Sequence, residues 1–108
     1  MSPSTPRYGH APLPMKRVQS FGEVDHVGDF FWRFTDEGAR YITLALPRPR
    51  PNAPDDYIMN DLPVAKGINR PSECWGWDGN EDVPTLVPSI HCVGHWHGFV
   101  RVGMLIED

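Results

Sequence analysis

The sequence predicts a mainly β fold, a small single-domain antiparallel sandwich or partly open barrel with a flexible N-terminal arm. Three observations carry this prediction. With 12 prolines and 10 glycines among 108 residues, helices are disfavoured, because proline removes a backbone donor and glycine raises the entropic cost of ordering. Aromatic and β-branched runs alternate in period two and are bounded by Gly, Pro, Asn and Asp clusters. Four tryptophans, five phenylalanines and three tyrosines supply the apolar payload of a thin fold, each large ring burying on the order of 150 to 250 Å². A chain of this length forms one domain and buries roughly two thirds of the surface its unfolded form exposes.

Residues 1–20 hold four prolines and the basic Arg7, Lys16 and Arg17 with little apolar periodicity, which is the composition of a flexible arm. The β domain is expected over residues 21–108. DFFWRFTDEGARYITLAL reads as a hairpin around a TDEGA turn, with Gly38 free to take positive φ. Alternation sets Phe30, Trp32 and Phe34 against Phe31, Arg33 and Thr35. In the second strand Ile42, Leu44 and Leu46 oppose Tyr41, Thr43 and Ala45, so the two all-apolar faces meet one core. PRPRPNAPDD is a polyproline-like connector, a stiff loop or a motif for a proline-binding partner. Short strands follow at Tyr57 to Met59 and Leu62 to Ala65, then a KGINRPSE loop, a Trp-x-Trp strand, an acidic DGNED turn and a strand pinned by Pro84 and Pro88. HGFVRVGMLIED closes the chain as a hairpin with Val102-Gly103 at its turn.

The net charge of −4 is unevenly distributed: residues 1–50 carry seven Lys/Arg against five Asp/Glu, and residues 51–108 carry three against nine. Nucleic-acid binding by the acidic half is disfavoured, since phosphate contacts need positive surface. No membrane-spanning apolar run and no signal-peptide core are present, which points to the cytoplasm of the cell that makes the protein. In that reducing setting Cys74 and Cys92 are expected free or metal-bound.

SIHCVGHWHGF concentrates the chemistry-bearing residues. On one strand His95 and His97 project from the same face, the spacing of a metal pair, and Cys92 and Cys74 could complete a tetrahedral zinc set. No Cys-x-x-Cys accompanies them. Two other readings stand beside zinc. The histidines could bond backbone carbonyls while the cysteines serve as small hydrophobes, or Cys92 could act as a nucleophile with His95 or His97 as base. Upstream, Trp75 and Trp77 share a face next to Asp78. They are either buried or a platform for a sugar, base or cation, while Asp78, Glu81 and Asp82 form a solvated turn, orient a histidine or bind a cation. The candidate binding residues are therefore Trp75, Trp77, Asp78, Trp96 and His97.

The motif order W-x-W-D-G, P-T-L-x-P-S-I and W-H-G-F-V-R-x-G resembles the DUF6527-like family of small uncharacterised phage and prophage proteins. The matching residues are Trp75, Trp77, Asp78, Gly79, Pro84, Thr85, Pro88, Ser89, Ile90, Trp96, His97, Gly98 and Gly103, and FGEVDHVGDFFW is similar to the family's N-terminal segment. The resemblance implies a phage-encoded origin and no particular activity. Some members look metal-binding, with a Cys-rich motif before the W-x-W strand and a Cys-His pair where this chain has Trp96-His97. Here Trp96 replaces that cysteine and no Cys-x-x-Cys precedes Cys74, which leaves His97 as the best-matched position.

The sequence favours an accessory protein that binds a host protein or a small ligand without turnover. A structural or hydrolytic zinc domain centred on His95, His97 and Cys92 is the alternative. A virion or self-associating protein, such as a homodimer joined through an edge strand, is the second.

Overall fold

The computed structural model describes residues 12–48, 56–66, 74–92 and 96–108. Among the described residues, nine strands form one sheet: β1 (Leu13–Pro14), β2 (Lys16–Arg17), β3 (Asp29–Phe34), β4 (Arg40–Pro47), β5 (Tyr57–Lys66), β6 (Trp75–Trp77), β7 (Leu86–Cys92), β8 (Trp96–Arg101) and β9 (Met104–Glu107). Their order is β1-β9-β8-β7-β6-β5-β4-β3-β2. The two edge strands are consecutive in the chain, joined through Met15, so the sheet curls into a nearly closed barrel. Gly28 makes the seam tight: it has φ +96, its amide donates to the carbonyl of Ala45, and a Cβ there would stand 2.7 Å from the carbonyl oxygen of Pro14.

The barrel departs from the sequence expectation in three ways. Residues 13–17, assigned by composition to the arm, carry the two seam strands, because their backbone donors and acceptors find partners on β9 and β3. The part of the arm before Pro12 lies outside the described residues. The sheet is mixed, with β2 parallel to β3 and β5 parallel to β6. The two short strands expected around residues 57–65 are one ten-residue strand, β5, in which Pro63 sits opposite Tyr41. Proline is tolerated there because pairing with β6 begins only at Val64.

The hairpin of β3 and β4 forms as its alternation requires, with Phe30 opposite Leu44, Trp32 opposite Ile42 and Gly38 at φ +84. Phe30, Ile42, Leu44 and Leu46 are fully buried and meet Leu62, Trp77, Leu86, Ile90, Trp96, Val100 and Leu105 inside the barrel. The last hairpin turns at Val102 (φ +47) and Gly103 (φ +72), the left-handed pair a two-residue turn demands. Thr85 Oγ1 accepts the Val102 amide at 2.9 Å and the Pro84 carbonyl accepts that of Gly103 at 2.9 Å, which holds a β-branched residue in a conformation it rarely adopts.

A second apolar cluster lies outside the barrel. Phe31 and Ala45 face outward from β3 and β4, and residues 18–24 fold over them, with Val18, Val24, Tyr57 and Met59 completing the cluster. The Asp29 carboxylate anchors this cover by accepting the amides of Asp25 and His26 at 2.9 and 3.1 Å. Among the described residues, no helix is long and apolar enough to cross a membrane.

Candidate functional site

Two regions of the outer surface carry convergent side chains. The first lies on β7, β8 and the end of β9. His91 and His97 are cross-strand partners, so both imidazoles leave the same face, with ring centroids 5.0 Å apart. Between Leu86 and Ile90 the register of β7 on β8 slips: β7 advances four residues while its partners on β8, Val100 and Gly98, are only two apart. This bulge carries Ser89, and bulges re-aim side chains. Ser89 Oγ reaches His97 Nε2 at 3.2 Å, and His97 Nδ1 reaches Asp108 Oδ2 at 3.2 Å. The amide of Asp108 donates to the carbonyl of His97 at 2.9 Å and keeps that carboxylate beside the ring. Trp75 Nε1 donates to the Ser89 carbonyl at 3.4 Å.

The second region is a depression of about 400 Å³ on the outer face of β3, β4 and β5. Phe21, Phe31 and Met59 form its apolar walls, and Arg33, Thr43 and Asp61 its polar floor. Asp61 accepts from Thr43 Oγ1 at 2.6 Å and from Arg33 Nη2 at 2.9 Å, while Arg33 Nε donates to Thr43 Oγ1 at 3.2 Å. The floor is thus pre-oriented by a closed set of hydrogen bonds. Phe21, on the 3-10 turn Phe21–Glu23, is 64% exposed at the rim.

The structure separates two of the residues that the sequence groups as zinc ligands, Cys92 and His97. Cys92 pairs with Trp96 and packs against the inner core, its Sγ directed to Asn60 Oδ1 at 3.7 Å. His97 is one residue beyond Trp96 and faces outward, so Cys92 and His97 lie on opposite sides of the sheet. Both nitrogens of His97 are already engaged. Cys74 precedes β6 as a free, half-buried thiol, and His95 lies outside the described residues. Among the described residues, no three His, Cys, Asp or Glu side chains are grouped to hold a metal ion.

The tryptophan platform is also rebuilt. Trp96 is 1% exposed, its ring lying across Gly98, where a Cβ would collide with the ring and with the carbonyl oxygen of Ile106. Trp77 is buried against Trp32, with ring centroids 4.8 Å apart. The cation on this pair is the chain's own: the Arg40 guanidinium lies 4.5 Å from the Trp77 ring and 5.1 Å from that of Trp32, and pairs with Glu81 Oε2 at 2.9 Å. Asp78 shapes its turn, Oδ1 accepting the amides of Asn80 and Thr85. Of the candidate binding residues, Trp75 and His97 alone approach Ser89.

Sequence reasoning missed Ser89 and Asp108 as partners of His97, since a two-residue bulge and a contact eleven residues along the chain leave no periodic trace. The groove did leave one. Phe31 is a large aromatic on the otherwise polar face of its strand, opposite Thr43 and clustered with Ala45 on the next, and such a residue needs cover. No family model, curated protein or solved structure matches this chain.

Proposed function

We propose that this chain is a phage or prophage accessory protein that acts by binding, and that a small amphipathic ligand seats in the β3–β5 groove. The groove carries the reading. Its volume falls in the range of small-molecule sites, and its construction follows their pattern of apolar walls around a few oriented polar groups. An aromatic or aliphatic body would pack between Phe21 and Met59, and an anionic or hydrogen-bonding head would meet Arg33, whose side chain is 47% exposed. The phage origin rests on the motif resemblance. A zinc-supported domain is less favoured because Cys92 and His97 face opposite sides of the sheet. Self-association through an edge strand is less favoured because the described edges are two-residue strands joined to each other.

The anilinonaphthalene sulfonate dye matches the groove in chemistry and tests it. Saturable binding of one dye per chain, lost in Phe21→Ser and in Met59→Asp, is the expected result. Dye binding that is absent, or indifferent to both substitutions, would remove the groove from consideration. Specific capture of one host protein without dye competition would move the reading to a protein partner.

A further inference from the structure

We propose that Ser89 is a nucleophile, with His97 as its base and Asp108 as the positioning residue, able to take an acyl group from activated esters. The inference concerns the β7–β8 face, across the barrel from the groove, and is independent of the ligand proposed there. Its basis is the direction of the hydrogen bonds. A carboxylate only accepts, so the 3.2 Å contact between Asp108 Oδ2 and His97 Nδ1 places the ring proton on Nδ1. In its neutral form the ring so oriented has a bare Nε2, which accepts the Ser89 hydroxyl across the 3.2 Å contact. Nucleophile, base and orienting carboxylate therefore stand in the order that acyl transfer uses, at the outer limit of the usual reach.

The surroundings limit the freedom of each member. His91 packs beside the His97 ring, the Trp75 indole holds the Ser89 carbonyl, and the Asp108 amide is bonded to the His97 carbonyl. Access remains, since the His97 side chain is 24% exposed and that of Asp108 50%. The substrate class follows from the open face, flanked by exposed Val87 and half-buried Phe99, which excludes little water and so suits small apolar acyl groups on good leaving groups. In the first step the Ser89 oxygen bonds to the acyl carbon, the hydroxyl proton passes to His97 Nε2, and the ester bond breaks as the alcohol departs with that proton. In the second, water attacks the acyl-serine, its proton passes through Nε2 to Ser89 Oγ, and the carboxylic acid leaves.

The test is phosphonylation of the full chain by a fluorophosphonate, in which an Oγ–P bond forms and fluoride leaves, followed by peptide mass mapping. One adduct at Ser89 is expected, forming on the order of a hundredfold faster than at the chain's other serines. His97→Gln should erase that advantage and Asp108→Asn should reduce it more than tenfold, with folding of both variants checked by thermal melting. Labelling of Ser89 no faster than the other serines overturns the proposal. So does labelling that is unchanged in Asp108→Asn, a substitution at an exposed residue that keeps the test decisive even where His97→Gln fails to fold.

Discussion

The two outer faces of this barrel solve different problems with the same pleat. On β3–β5 the outward positions include Phe31, Ala45 and Met59, which are apolar and would lose free energy in water, so residues 18–24 fold back to cover them. On β7–β8 the outward positions include Ser89, His91 and His97, which water solvates well, beside exposed Val87 and half-buried Phe99, and no described segment is folded over them as residues 18–24 are over Phe31. The covered face acquires a groove at the rim of its cover. The uncovered face acquires hydrogen bonds whose directions are set by the chemistry of each group. Shape is therefore the resource of one face and proton geometry that of the other, which is why binding is assigned to the first and nucleophilic chemistry to the second.

Four substitutions break or sharpen this contrast. The largest effect is expected from Gly98→Ala. The new Cβ would lie 2.5 Å from the buried Trp96 ring as well as against the Ile106 carbonyl, and backbone on one side leaves little room to yield. A loss of about 3 kcal/mol in urea denaturation is expected, with the β7–β8 face disturbed before the groove. Stability equal to the parent would mean that the strand accommodates the methyl and that the face does not depend on this close approach.

Phe31→Ala is expected to match it at about 3 kcal/mol, because the residue is 7% exposed and its removal empties both the covered cluster and one groove wall. The same denaturation series checks it, and dye binding should vanish with it. Thr43→Val keeps the volume but deprives Asp61 and Arg33 of a shared hydroxyl, 4% exposed as a residue. A cost of about 1 to 2 kcal/mol is expected, with dye affinity reduced, and a neutral result would show that the floor is not pre-oriented by this bond. Val102→Asn should act in the opposite direction. Asparagine tolerates the left-handed conformation better than valine, and the side chain is exposed, so a gain of about 1 kcal/mol is expected in thermal melting without change to either face.

Much of the architecture is legible in particular residues. The alternation of DFFWRF and YITLAL is enough to name the inward faces of β3 and β4, because a strand's side chains must leave alternate sides. Val102-Gly103 reads as a tight turn for a similar local reason. The candidate site is less legible. The pairing of Cys92 with His97 in the zinc grouping runs against strand parity: Cys92 faces in with Trp96 while His97 faces out with His91. Trp77 is withdrawn from the tryptophan platform because Arg40, 37 positions before it, lies over its ring.

By itself the sequence determined which residues alternate, where the chain turns and which large rings seek a core, all of which depend on neighbours within a few positions. Tertiary structure alone decided that residues 13–17 close the barrel, that residues 18–24 roof over Phe31, and that Ser89, His97 and Asp108 meet. Those outcomes depend on which strands become neighbours and on a register slip between them. Both are set by the fit of the whole barrel around its core, and no local pattern encodes them.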